Sequence, residues 1–158
     1  MLVWRLHNHT APYATLATYD PLDGTGAAFS PGRWNLQGIP LIYTSSTASL
    51  AVLEVLMHVA PKNFGTRELI EIEVPDETIE DATAMVISSA FGEGDEPTQV
   101  YGSNWAKEKR SLCLSVPSAP MPIEHNIILN PLHPQMRKVR IKRRIPYLLD
   151  SRIRELVR

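Results

Sequence analysis

Gly32-Arg33-Trp34-Asn35-Leu36-Gln37-Gly38-Ile39-Pro40-Leu41-Ile42-Tyr43 leads through Thr44 to Ser49 into Leu50-Ala51-Val52-Leu53-Glu54. Gly32 and Gly38 bracket a compact turn, because glycine enters backbone regions closed to other residues. Leu41 to Thr44 reads as a short strand. Ser45 or Ser46 is placed to cap a helix by accepting from free backbone N–H groups. The helix is predicted from Thr47 to Val59 and is stopped by Pro61. Leu50, Val52, Leu53, Val55, Leu56, Met57 and Val59 make it apolar almost all round, so most of its sides are buried. Glu54 is its only acid and lies about 40° from Leu50 on the helix surface. The unit therefore gathers a cation, a phenol and a carboxylate around one turn, one strand and one helix.

The remaining chain is long enough to surround that unit with one core. Its 158 residues suit a single domain, and 44% hydrophobic with 21% charged residues is ordinary for a globular fold. No apolar run approaches the roughly 20 residues of a membrane span. Met1-Leu2-Val3-Trp4-Arg5-Leu6 lacks the pattern of a signal peptide. The single cysteine, Cys113, excludes an internal disulfide. The expected compartment is the cytoplasm. A formal net charge of −1 excludes a uniformly basic nucleic-acid binder. Even so, Arg137, Lys138, Arg140, Lys142, Arg143 and Arg144 form a basic cluster. It fits nucleic acid, a phosphorylated ligand or an acidic partner, and equally an edge strand that carries charge against aggregation.

Leu2 to Leu6 alternates as a strand, with Leu2, Trp4 and Leu6 on one face and Val3 and Arg5 on the other. His7-Asn8-His9 opens a turn-rich loop through Pro12, Pro21, Gly24 and Gly26. Arg67 to Val74 is a strand with Ile70, Ile72 and Val74 facing one way and Leu69, Glu71 and Glu73 the other. Ala84 to Ile87 is a candidate strand, Phe91 to Pro97 a loop and Thr98 to Arg110 a helix. Leu112 to Val116 and Glu124 to Leu129 are further strands. Val139 to Ile145 is a charged last strand, and Leu148 to Leu156 a short amphipathic ending. The order implies a mixed α/β or α+β domain.

The common phosphate-cradling glycine loops are absent, and Ser118 has no nucleophile elbow. Cys113 reads as a buried small hydrophobe in a strand. The five histidines show no zinc spacing, so no metal is expected. Arg5, Arg33, Tyr43, Glu54, Ser118 and Asn130 fall at element ends or inside apolar elements. Together they suit an anionic ligand with a sugar. Arginines grip phosphates, a phenol ring stacks on a heterocycle, and a lone carboxylate stabilises an oxocarbenium-like centre. Structural readings stand beside this one. Arg5 and Glu54 could form a buried ion pair, Trp34 and Tyr43 could be core, Ser118 could start a turn, and Asn130 before Pro131 could make an Asx-turn.

Five blocks carry a resemblance. They are Trp4-Arg5; Gly32-Arg33-Trp34-Asn35-x-x-Gly38-x-Pro40-x-x-Tyr43; Ser49-Leu50-Ala51-x-Leu53-Glu54; Val116-Pro117-Ser118; and Glu124-x-Asn126-x-x-Leu129-Asn130-Pro131-x-His133-Pro134. In order and spacing they resemble the RES domain, the toxin half of Xre-RES toxin–antitoxin pairs, over nearly the whole chain. Pro31 is a departure, since the family often has a glycine before the Gly-Arg pair. The resemblance implies one RES domain over residues 1–158 with an α+β, ADP-ribosyltransferase-like mixed sheet. It implies NAD as substrate rather than cofactor, with inorganic phosphate as an alternative co-substrate to water, and no metal.

By the same resemblance Glu54, Arg33, Tyr43 and Ser118 are the catalytic set, and Arg5, Arg33, Tyr43 and Asn130 bind NAD. The expected partner is an Xre-type helix-turn-helix antitoxin that blocks the cleft. Any DNA contact is made through that antitoxin, and the toxin can pair as a homodimer within the complex. Two alternatives stay open: mono-ADP-ribosylation of a protein target, and a non-enzymatic module that uses the basic C-terminal strand.

Overall fold

The computed structural model describes residues 1–8, 20–76, 79–85 and 94–156. The expectations for His9, the loop at Pro12, Val86, Ile87 and Phe91 to Glu93 lie outside the described residues. Among the described residues seven strands form one sheet: β1 Leu2–His7, β2 Ile42–Ser45, β3 Arg67–Glu73, β4 Ile79–Asp81, β5 Cys113–Pro117, β6 His125–Leu129 and β7 Arg140–Tyr147. Their order across the sheet is β4-β5-β6-β2-β1-β3-β7. Only β4 and β5 run parallel, which makes the sheet mixed. The helices are α1 Thr25–Phe29, α2 Ala48–Leu56, α3 Glu96–Glu108 and α4 Ser151–Leu156. No helix among the described residues is long and apolar enough to cross a membrane.

Strand alternation decides how the layers form. Val3, Ile42, Ile70, Ile72, Cys113, Ile127 and Leu129 share one continuous core. The opposite face carries two separate clusters. Leu6 and Leu69 pack under Ala51 and Val52 of α2. Leu114, Val116 and Ile128 pack under Trp105 and Ala106 of α3, together with Trp34 and Leu41. One face of the sheet thus bears two helical walls with a gap between them.

Several boundaries differ from those read in the sequence. Thr47 caps α2, its side chain accepting from Leu50 N at 3.2 Å. Ser45 instead belongs to β2, and the backbone N–H of Ser46 donates to His125 O at 3.2 Å. The helix stops at Leu56 rather than Val59. Residues 83–85 are helical, not extended, and the strand lies earlier, at Ile79–Asp81. Asp81 Oδ1 accepts from Thr83 N at 2.8 Å and so starts the helical turn as β4 ends.

The basic strand β7 is an edge strand. Lys142, Arg143 and Arg144 pair with Glu73, Glu71 and Glu68 of the neighbouring β3. Those three cations are compensated within the sheet, in keeping with a charged edge rather than a nucleic-acid surface.

Candidate active site

The sheet is thinnest at its middle. β1 and β2 meet through one register pair, Trp4 with Ser45, whereas β1 runs beside β3 from Leu2–Glu73 to His7–Glu68. A cleft of about 800 Å³ lies over this seam, between the wall made by α2 and the wall made by α3 and the Gly32–Trp34 turn. Arg5 from β1 reaches across the seam, its Nη1 donating to the backbone carbonyl of Tyr43 at 3.3 Å.

The turn is built around the buried side chain of Asn35. Its Nδ2 donates to Ala27 O at 2.8 Å and to Ile39 O at 3.0 Å. Its Oδ1 accepts from Gly32 N at 2.9 Å and from the Tyr43 hydroxyl at 2.8 Å. The Tyr43 oxygen accepts in turn from Trp34 N at 3.0 Å. Trp34 itself is core, 3% exposed.

The first turn of α3 holds the same loop from outside. Thr98 Oγ1 donates to Arg33 O at 2.7 Å, and Gln99 Nε2 donates to Gly32 O at 2.9 Å. Gly102 lets α3 approach, since a Cβ there would come within 2.0 Å of Trp34 O. With its backbone so held, Arg33 extends into the cleft and its Nε donates to Asp95 Oδ1 at 3.1 Å.

Burial pushes the Tyr43 phenol well above its ordinary value. The Trp34 amide opposes that shift, and the charge of Asp95 adds to it. The phenol is therefore neutral at physiological pH, with its ring on the cleft and its hydroxyl tied into the turn.

Across the cleft, Ala51, Glu54 and Val55 of α2 line it at helical spacing, and His58 lines it from the turn just past the helix. Glu54 Oε1 accepts from Ser118 Oγ at 2.7 Å and from Asn126 Nδ2 at 2.5 Å. Its other oxygen, Oε2, takes no bond from any described residue. Ser118 is 2% exposed and sits behind the carboxylate. Arg67, 7% exposed, also lines the cleft. Its Nε donates to Phe64 O at 3.0 Å, and its guanidinium lies 4.9 Å from the Phe64 ring centre.

Arg5, Arg33, Tyr43 and Glu54 thus come together around one cleft. Ser118 is joined to them through Glu54 rather than through the open space. The structure does not bring Asn130 to the cleft. Asn130 is fully buried, donating from Nδ2 to Ala106 O at 3.0 Å near the end of α3. Its Oδ1 accepts from Leu132 N at 3.0 Å, which is the Asx-turn reading. Glu54 takes its bonds from Ser118 and Asn126, so the alternative of an Arg5–Glu54 ion pair is not what holds it.

Sequence reasoning passed over Asn126, Arg67, Asp95 and Asn35 as site residues. A buried arginine at a strand start and an amide opening a strand were the available signals. Neither distinguishes a site from a core.

A family model described as the RES domain matches residues 2–150. The chain is 34% identical over 159 aligned positions to the "Prs ADP-ribosylating toxin" of Sphingobium sp. (strain YBL2), covering 95% of this chain and 94% of the relative. It is 33% identical to a "Toxin Res" of Pseudomonas putida, covering 90% of this chain and 92% of that one. Among solved structures it resembles a chain in the crystal structure of the M. tuberculosis MbcT–MbcA toxin–antitoxin complex. That match has a TM-score of 0.66 at 19% identity over 99% of this chain and 87% of the other. The two chains share a fold, and in this chain it is the α+β architecture with one mixed sheet.

Proposed function

The chain belongs to the RES domain family, and from that premise we propose that it is the toxin of a toxin–antitoxin pair and consumes NAD by breaking the bond between nicotinamide and ribose. The observation that carries the reading is the state of Glu54. One carboxylate oxygen is anchored by Ser118 and Asn126, and the other is left to the cleft. Three arginines, Arg5, Arg33 and Arg67, line the same space and match the pyrophosphate of a dinucleotide. The neutral Tyr43 ring offers a packing surface for nicotinamide.

The chemistry needs one acid–base group only. The nicotinamide nitrogen of NAD already carries a positive charge. When the C–N bond breaks, its electron pair stays with that nitrogen and the ring leaves neutral, so no general acid is required. Glu54 Oε2 orients the ribose hydroxyls, stabilises the positive charge that develops on the ribose, and directs the incoming oxygen of water or phosphate. Ordinary glycoside hydrolysis needs a second carboxyl to protonate its leaving group, and that requirement is absent here.

The test is incubation of purified protein with NAD in phosphate and in phosphate-free buffer, with products resolved by chromatography. Nicotinamide release with ADP-ribose, or with its phosphate ester in phosphate buffer, is expected. Glu54→Gln should lose turnover and keep its melting temperature. Equal NAD loss with wild type and the variant would refute the assignment of Glu54.

A second reading is mono-ADP-ribosylation of a protein, favoured by the 34%-identical relative that is named as an ADP-ribosylating toxin. It uses the same binding groups and differs in the acceptor. Label carried from radiolabelled NAD onto a host protein, in place of free ADP-ribose, selects it. In either case the partner is a helix-turn-helix antitoxin that covers the cleft and supplies the DNA contact. The working compartment is the cytoplasm, where the NAD pool lies.

A further inference from the structure

Asn126 faces Ser45 across the β2–β6 ladder, where the two are register partners. Ser45 Oγ donates to Asn126 Oδ1 at 2.7 Å. The Glu54 carboxylate can only accept, so it fixes which end of the amide is which, and the Ser45 hydroxyl, able to donate or accept, turns to donate to the carbonyl end. The NH2 end then points at Glu54 and donates to Oε1. Ser118 donates to the same oxygen at 2.7 Å. Ser45 is 3% exposed, while Asn126 is half-buried and lines the cleft.

We infer that Asn126 is a positioning residue for the Glu54 carboxylate and that Ser45 steadies the carbonyl end of its amide. The inference rests on the reading of Glu54 as the reacting carboxylate. With two donors on Oε1, the carboxylate has one orientation, and Oε2 alone is presented to the ribose. Losing the Asn126 donor leaves Glu54 held by Ser118 alone, so it turns more easily about its last torsion, where rotation is otherwise soft. Losing Ser45 removes the bond that steadies the carbonyl end, so the NH2 end is held less firmly against the carboxylate. A group held for catalysis in this way affects the chemical step more than substrate binding.

Three variants separate this role from simple packing. Asn126→Ala should lower kcat roughly 10- to 100-fold, the worth of one hydrogen bond to a charged group, with KM for NAD within about threefold. Asn126→Asp is nearly isosteric and would outperform Ala if the side chain only filled space. Here it should be worse than Ala, since it sets a second carboxylate against Glu54. Ser45→Ala should fall between wild type and Asn126→Ala. A ranking with Asp above Ala overturns the inference.

A measurement without turnover keeps the two readings apart. The Asn126 side-chain NH2 signals are assigned by NMR from their loss in Asn126→Asp. They should move in Glu54→Ala and again in Ser45→Ala. Signals that stay in place in Glu54→Ala overturn the positioning role whatever the enzyme does with NAD. Absence of NAD turnover in the wild type, with the signals moving as expected, overturns the proposed function and leaves the clamp standing.

Discussion

A Cβ built on Gly32 would stand 2.7 Å from the hydroxyl oxygen of Tyr43. The phenol therefore reaches Trp34 N and Asn35 Oδ1 only because residue 32 has no side chain. Gly32→Ala must displace either the ring or the turn, and overpacking of this kind costs about 1–3 kcal/mol. Tyr43→Phe keeps the ring but takes a partner from the buried Trp34 N–H, which also costs about 1–3 kcal/mol. The difference lies in activity. Gly32→Ala moves the backbone that carries Arg33 and should raise KM for NAD, whereas Tyr43→Phe should lower stability with a smaller change in KM. Urea unfolding midpoints set beside KM values for the two variants check this.

Arg33 and Asp95 are both exposed at the cleft, 3.1 Å apart. An exposed pair of this kind contributes about 0–1 kcal/mol to folding. Asp95 sits at the N-cap of α3 without making a side-chain capping bond, so its carboxylate is used by Arg33 and not by the helix. A dinucleotide phosphate has to compete with that carboxylate. Asp95→Asn should therefore tighten NAD binding by roughly two- to fivefold, with little change in melting temperature, and the gain should shrink as salt is raised. Arg33→Ala should weaken binding at least tenfold. Isothermal titration with NAD at two ionic strengths, using Glu54→Gln as the background to suppress turnover, measures both.

The readable parts of the chain were those in which local pattern and tertiary outcome agree. Ile70, Ile72 and Val74 share a face with Val3 and Cys113 as their alternation required, and Leu69 turns to the other side with Leu6. The Gly32–Tyr43 turn and the α2 carboxylate likewise lie where the spacing placed them, on one cleft. β4 was hidden because its three residues are held in extended form by parallel pairing with β5, a contact that no local pattern encodes. The bond between Ser118 and Glu54 spans 64 residues of chain and leaves no trace in either one's neighbours. Asn130 was ambiguous in principle. An Asn-Pro pair serves a turn as well as a ligand, and only the nearby end of α3 decides between them.

Glu71 and Arg143 form a two-pronged pair, Nε to Oε2 at 2.5 Å and Nη2 to Oε1 at 3.1 Å. The hydrogen bond from Arg143 holds the Glu71 carboxyl below its ordinary value of 4.5, with partial desolvation opposing it. A carboxyl depressed in the folded state stabilises the protein above the unfolded value and loses that contribution as pH falls through the folded value. The stability gap between wild type and Glu71→Gln should therefore be full at pH 7, begin to close below pH 4.5 and vanish in stronger acid. Melting temperatures of both proteins across pH 7 to about pH 3 test it, and a gap that widens in acid would contradict the pairing.

Asn130 gives the sharpest separation between a fold residue and a site residue. Its amide donates to Ala106 O where α3 ends, and its carbonyl accepts from Leu132 N. Both groups are sealed from water, the side chain being 0% exposed. Asn130→Ala leaves a helix-end carbonyl and a turn N–H without partners, each worth about 1–3 kcal/mol when buried. Asn130→Asp keeps the acceptor but presents a carboxylate to the Ala106 carbonyl, so it should be no better than Ala. Direct contact with NAD through this amide would instead appear as a raised KM at unchanged stability. The expected outcome is the opposite pattern: a lowered unfolding midpoint for both variants, with KM for NAD at the wild-type level at temperatures where they remain folded. Denaturant titration and steady-state kinetics on the same preparations measure both quantities.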